Sequence, residues 1–341
     1  MSKSITAIIS VVVGFAVTFG FGFVVIPWLK KLKFGQTILD IGPKWHKSKE
    51  GIPTMGGILI FIGTAAAFLV GLLADLPLNQ GAIKADLGNP FKLTTLLSGI
   101  GLAVGMGLIG FLDDYIKVVK KRNLGLTARQ KTLLQFAVAA AFLVSLLLGG
   151  MSSTWIPFVG DVDITSGFGL LFWPIALFFV YGFTNSVNLT DGLDGLASSV
   201  TIVVCCAFMI ASSILGFSAV NLLSASVAGA LVGFLMWNSH PAKVFMGDTG
   251  SMFLGGMVVA LAFGIGRPIL LILSGIVYLL EALSDILQVA HYKRTKKRLF
   301  KMAPIHHHFE MLGWSEEKIV FAFSAVAVLG SVLMILLIRF G

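Results

Sequence analysis

Residues 95–122 read TLLSGIGLAVGMGLIGFLDDYIKVVKKR. The first eighteen carry no charge, and the next ten hold two aspartates and four basic residues. Crossing a hydrocarbon core takes about 20 apolar residues in an α-helix, so this stretch predicts a membrane span that stops at a charged water boundary. Similar apolar runs flank it: 5–27, 54–74 and 132–150, then 168–184, 196–216, 221–237, 251–265, 269–290 and 319–338. With 95–112 these make about ten transmembrane helices, and the predicted fold class is all-α, a polytopic integral membrane protein.

Composition agrees. Of the 341 residues, 57% are hydrophobic and 12% charged, with a mean hydropathy of +0.94, whereas soluble domains average about 25% charged residues. No polar linker is long enough to separate domains, so residues 1–341 read as a single integral domain. The first run is too long for the apolar region of a signal peptide and lacks a small-residue cleavage pattern before Pro27 and Trp28, so it reads as a retained helix. Cys205 and Cys206 are adjacent within an apolar run, which offers no disulfide framework.

The net charge of +9 invites nucleic acid as a partner, but its distribution points elsewhere. If ten helices alternate, the loops after the first, third, fifth, seventh and ninth hold 20 of the 25 basic residues, from Lys30 to Lys49, Lys117 to Lys131, Lys243, and Lys293 to Lys318. Lys3, Lys84, Lys92, Arg267 and Arg339 remain for the other side. Positive loops stay cytoplasmic, so both termini are expected outside and those five loops inside.

The informative polar residues fall on that inner side. Asp113, Lys117 and Lys121 share a face at i, i+4 spacing, with Asp114 beside Lys117. This set suits a magnesium-bound phosphate; the alternative is a snorkelling collar at a helix end. In Asn185-Ser-Val-Asn188-Leu-Thr-Asp191-Gly-Leu-Asp194-Gly the polar groups recur every three residues, drifting about 60° per step on a helix. They cannot all share one face, so a turn is expected, with Gly192 and Gly195 allowing close approach to a ligand. A third segment, Asn238 to Ser251, holds His240, Lys243, Phe245 and Asp248. Asp248 or Thr249 could cap the following helix or, equally, Asp248 could hold magnesium, which favours one or two carboxylates with substrate phosphates. The fourth runs from Lys293 through His306-His307-His308 to Glu310. Adjacent histidines rarely converge on zinc, and binding of anionic phosphates is the better reading. Glu281 and Asp285 share a face of the ninth apolar run, with pairing and substrate contact both open.

These motifs, with Asp40-Ile-Gly42-Pro43-x-x-His46-x-x-Lys49-x-Gly51-Ile52-Pro53-Thr54-Met55-Gly56-Gly57 and Ala303-Pro304, resemble the polyprenyl-phosphate N-acetylhexosamine-1-phosphate transferase superfamily over nearly the whole chain. The branch acting on muramoyl-pentapeptide is the nearest. Ile52, where Thr is expected, and Asp285, where an apolar residue is expected, depart from its pattern.

The resemblance implies a magnesium-dependent enzyme of the bacterial inner membrane, with its active site on the cytoplasmic side. It would transfer phospho-N-acetylmuramoyl-pentapeptide from UDP-N-acetylmuramoyl-pentapeptide to undecaprenyl phosphate. It also implies Asp248 as the magnesium ligand and a catalytic set of Asp113, Asp114, Asp248 and His307. Lys117, Lys121, Lys131 and His307 would bind phosphates, and Asn188, Asp191, Asn238 and Phe245 the nucleoside. Asp194 would support the site, with Lys49, Asn185, His306 and His308 as further substrate contacts. Membrane lipid is the remaining expected partner, a homodimer is compatible with the reading, and nucleic acid is not expected. The alternatives are a transferase for N-acetylglucosamine phosphate and, from another class, a secondary transporter. Transporters usually show repeats and midplane sites, whereas here the polar motifs gather on one face.

Overall fold

A computed structural model describes residues 5–31, 49, 51–79, 81–120 and 124–341. Lys121, and the 40–47 part of the loop quoted above with His46, lie outside the described residues. In these residues thirteen α-helices follow one another: α1 (Ile5–Lys31), α2 (Gly57–Asn79), α3 (Ala82–Leu87), α4 (Pro90–Val119), α5 (Ala128–Leu148), α6 (Phe172–Thr190), α7 (Leu196–Leu215), α8 (Ser218–Asn238), α9 (Gly247–Gly264), α10 (Leu271–Ser274), α11 (Ile276–Thr295), α12 (Ile305–Glu310) and α13 (Glu316–Phe340). Among the described residues, nine helices are long and apolar enough to cross a membrane, or ten if the bent pair Pro268–Ser274 and Ile276–Thr295 is one span. The protein is an all-α polytopic membrane protein.

Local signals place the span starts. Asn89 caps α4 by accepting from the N–H groups of Phe91 and Lys92, with Pro90 at the first helical position. Thr127 and Gln130 form a capping box on α5, and Ser315 caps α13.

The most enclosed span is α9, which packs against α4, α2 and α6 in the middle of the bundle. Its neighbours approach through glycine, as expected where lipid gives no hydrophobic drive between helices and close backbone packing must supply the attraction. A Cβ on Gly110 of α4 would lie 2.0 Å from the carbonyl oxygen of Asp248, and one on Gly57 of α2 would lie 2.2 Å from the nitrogen of Gly250. The first turn of α9 is thereby clamped between two helices.

Two features depart from the sequence reading. The expected continuous helix over 269–290 breaks at Gly275, where φ is −96° and ψ 22°, and the halves meet at 80°. A side chain on Gly275 would press on the Leu271 carbonyl and the Phe183 ring, so the backbone turns where a neighbouring ring crowds it. The loop after α5 forms an antiparallel hairpin, β1 (Ser153–Ile156) with β2 (Gly160–Asp163), pairing Thr154 with Val162. Trp155 of this hairpin lies under Arg267, at the end of the bundle opposite the polar motifs.

Candidate active site

At the other end, loops far apart in sequence are tied together. Gly56 N–H donates to the carbonyl of Phe245 and Gly57 N–H to that of Met246, both at 2.9 Å, while Phe245 N–H donates to Pro53. This joins the start of α2 to the loop entering α9 and leaves the Phe245 ring half-buried.

Within that frame Asp113 and Asp114 are 4% and 3% exposed, so the charged end of α4 is an interior feature and not a snorkelling collar. Asp113 Oδ1 accepts from Leu126 N–H at 2.8 Å, and its Oδ2 lies 2.6 Å from Lys117 Nζ. Asp114 Oδ2 accepts from both the N–H and the hydroxyl of Thr249, at 2.9 and 2.8 Å. Thr249 therefore serves Asp114, and Asp248 makes no capping bond to α9. Instead Asp248 Oδ2 lies 2.8 Å from Lys131 Nζ and 3.2 Å from Lys117 Nζ, and its Oδ1 accepts from Asn188 Nδ2 at 2.9 Å. Carboxylate oxygens of Asp113, Asp114 and Asp248 all lie within 4.8 Å of one another. Three hard oxygen donors at that spacing fit a magnesium ion, which takes carboxylates and leaves positions for phosphate oxygens.

The expected turn after Asn188 exists. Asn185 and Asn188 occupy the last turns of α6, and Asp191 and Asp194 lie in the bend before α7. Asn185 pairs with Gln135 of α5 through two bonds of 3.2 Å. Burial, and then the nearby charges of Asp248, Asp114 and Asp194, push the Asp191 carboxyl well above the usual carboxylate range. Asp194 sits 2.7 Å from Lys49 Nζ, accepts from Ala242 N–H, and lies 3.1 Å from His240 Nδ1. Lys49 also lies 2.7 Å from Glu316. Asp194, His240 and Glu316 have a metal-like spacing, but the Lys49 ammonium already pairs with both acids, so this is read as an ion-pair brace linking four segments.

The three histidines have three different partners. His306 Nδ1 pairs with Glu281 Oε2 at 2.9 Å, His307 Nδ1 with Glu310 Oε2 at 2.5 Å, and His308 Nδ1 accepts from Lys301 N–H at 3.1 Å. Asn238, expected to face the nucleoside, is buried. Its Oδ1 accepts from Gly195 N–H and the Ser198 hydroxyl, and its Nδ2 donates to the Val244 carbonyl. In this structure its amide braces the two loops.

The Glycosyl transferase family 4 pattern matches residues 96–265, from α4 to the end of α9, and thus includes Asp113, Asp114, Lys117, Lys131, Asn188 and Asp248. The signature described as Phospho-N-acetylmuramoyl-pentapeptide-transferase signature 1 matches residues 49–61, from the brace lysine into α2. A relative from Desulforamulus reducens named phospho-N-acetylmuramoyl-pentapeptide-transferase is 46% identical over 331 residues, 94% of each chain. The chain belongs to this family. Proteins of the same name are 43% identical in Carboxydothermus hydrogenoformans, over 100% of this chain and 99% of the relative, and 44% identical in Clostridium perfringens, over 94% and 95%.

In this phospho-N-acetylmuramoyl-pentapeptide-transferase family member, several groups at this end had no role assigned from the sequence. Glu316 and His240 complete the Lys49–Asp194 brace, Gln135 fixes Asn185, and Ser251 accepts from Asn188 at 2.7 Å. Of these, His240 and Ser251 lie within the Asn238–Ser251 segment and had a local signal.

Proposed function

We propose that this chain transfers phospho-N-acetylmuramoyl-pentapeptide from its UDP-linked donor to undecaprenyl phosphate. The reaction joins two anions at the inner face of a bacterial cytoplasmic membrane, and magnesium would offset their charge. A lipid phosphate oxygen attacks the sugar-linked phosphorus, a new P–O bond forms, the diphosphate bridge breaks, and UMP leaves with the bridging oxygen. The product is undecaprenyl-diphospho-N-acetylmuramoyl-pentapeptide.

The observation that carries this reading is the placement of Asp248 between Lys117 and Lys131, with Asp113 and Asp114 close by. An anion must approach an anion, so the site must offset charge and align the reactants. Asp248, with Asp113 or Asp114, would hold magnesium, which supplies electrostatic stabilisation of the transferring phosphoryl group. Lys117 and Lys131 would bind phosphate oxygens, with His307 as a further phosphate contact. Asn188, Asp191 and the half-buried Phe245 ring receive the nucleoside, and the Lys49–Asp194 brace fixes the bend that carries Asp191.

Direct attack is favoured over a covalent phosphosugar on an aspartate. A phosphate monoester has a second pKa of about 6 and is mostly a dianion at neutral pH, so it needs little help from a base. The reading is tested with purified protein, magnesium and undecaprenyl phosphate, offered either UDP-N-acetylmuramoyl-pentapeptide or UDP-N-acetylglucosamine. UMP release and lipid product are expected with the first alone. Turnover of the second instead would assign the chain to the N-acetylglucosamine phosphate branch.

A further inference from the structure

Glu281 on α11 and His306 on α12 form a pair whose side chains are 0% and 1% exposed, joined at 2.9 Å between Oε2 and Nδ1. The carboxylate accepts the Nδ1 proton, which fixes the ring about its own axis and turns Nε2 away from α11. That Nε2 meets no hydrogen-bond partner among the described residues, and neither does Glu281 Oε1. The ring edge instead occupies the space where a side chain at position 192 would stand: a Cβ on Gly192 would be 2.2 Å from Nε2 and 2.6 Å from Cε1. Gly192 directly follows Asp191, in the bend between α6 and α7.

An apolar pair could fill this space without the desolvation cost of two ionisable groups, so their presence calls for a directional role. The sealed Nε2 cannot reach a reacting atom, and the ring acts on the bend by contact. We propose that Glu281 is a positioning residue for sugar-nucleotide binding: it holds the His306 ring in the orientation on which the Asp191–Gly192 turn is seated. The proposal rests on the reading of Asp191 as a nucleoside contact. Supports of this kind typically change ligand affinity by about ten-fold or more when removed.

The test is steady-state kinetics on purified full-length protein, varying the sugar nucleotide and the polyprenyl phosphate separately. Glu281→Ala is expected to raise the sugar-nucleotide KM about ten-fold while kcat and the lipid KM stay within about two-fold. Glu281→Gln keeps an acceptor oxygen for Nδ1–H and is expected to restore the sugar-nucleotide KM. Asp191→Asn is expected to raise the same KM, and Glu281→Ala placed on top of it to add less than about two-fold, because the two act as one unit. Gly192→Ala, which presses on the ring from the other side, is expected to match Glu281→Ala, and carries the test if Glu281→Ala does not accumulate as folded protein. An unchanged sugar-nucleotide KM in Gly192→Ala or in folded Glu281→Ala, or a full effect in the Asp191→Asn background, overturns the proposal. If Asp191→Asn itself leaves that KM unchanged, the nucleoside reading of Asp191 has failed, which is a different result.

Discussion

Lys131 Nζ lies 2.8 Å from Asp248 Oδ2, although the residues are 117 positions apart and on different helices. Lys117 reaches the same oxygen from α4 at 3.2 Å. Three spans therefore converge on one carboxylate, and the cations that would receive substrate phosphates are held ready by the acid that would hold the metal. Such preorganised charge is usually the largest single contribution an enzyme makes to a polar transition state.

Asp248→Asn keeps the shape and removes the charge. Turnover is expected to fall by about 10²-fold or more, with the protein still eluting and melting as a folded species. Near-normal turnover at saturating magnesium would remove Asp248 from the ligand shell.

The close approach of α4 to α9 gives a steric prediction. Gly110→Ala sets a methyl against the Asp248 carbonyl, a backbone atom that cannot rotate away. The expected cost is about 1–3 kcal/mol of stability, together with reduced activity, because the strain falls on the turn that carries Asp248. Gly20→Ala, whose Cβ would meet nothing within 4 Å, is the matched control and is expected to melt like the unaltered protein.

The spans and the aspartates could be read from sequence for a simple reason. Apolar length and the placement of charge are local properties, and acids at a membrane boundary stand out against the lipid-facing composition. What the sequence could not supply depends on contacts made after folding. Glu316 stands in the first turn of α13, where an acid is common, and the approach of Lys49 and Asp194 gives it partners. The Gly275 break hid inside an apolar run, because the Phe183 ring that crowds it belongs to α6. Asp248 read equally well as a cap or a ligand until Asn188, Lys117 and Lys131 were seen around it. Asn238 was read as a nucleoside contact, but its neighbours Gly195 and Val244, which absorb its amide, are set by the fold.

The Asp191 carboxyl provides a pH prediction. Its pKa in the fold is raised well above 3.8, so the folded protein binds this proton more tightly than the unfolded chain. The associated stability is fully present below the unfolded value and is lost as pH rises toward the folded one. Asparagine mimics the neutral acid at every pH. Without substrate or metal, the melting temperature of Asp191→Asn relative to the unaltered protein is expected to climb between pH 5 and pH 8. A flat difference over that range would show that the carboxyl is already ionised there.

The split of basic residues between the two ends predicts orientation. On a background with Cys205 and Cys206 replaced by alanine, a cysteine at Lys120 is expected to react with an impermeant reagent only from the cytoplasm. One at Phe158, the exposed tip of the hairpin, is expected to react only from outside. Labelling of position 120 from outside would invert the topology.

The last prediction separates direct attack from a covalent intermediate. Asp114 Oδ2 receives two donors from Thr249, and Asp113 is fixed at one oxygen by Leu126 N–H and at the other by Lys117. Carboxylates held this firmly suit ligation and orientation, and a nucleophilic one would have to leave those donors and approach a diphosphate of like charge. Enzyme given the sugar nucleotide and magnesium but no polyprenyl phosphate is therefore expected to release UMP only at the rate of slow hydrolysis. Labelled UMP is expected not to exchange back into the sugar nucleotide under the same conditions. A covalent route requires both a burst approaching one UMP per active site and that exchange. If a stoichiometric burst appears and is abolished by Asp113→Asn or by Asp114→Asn, the aspartate concerned is the nucleophile and direct attack is wrong.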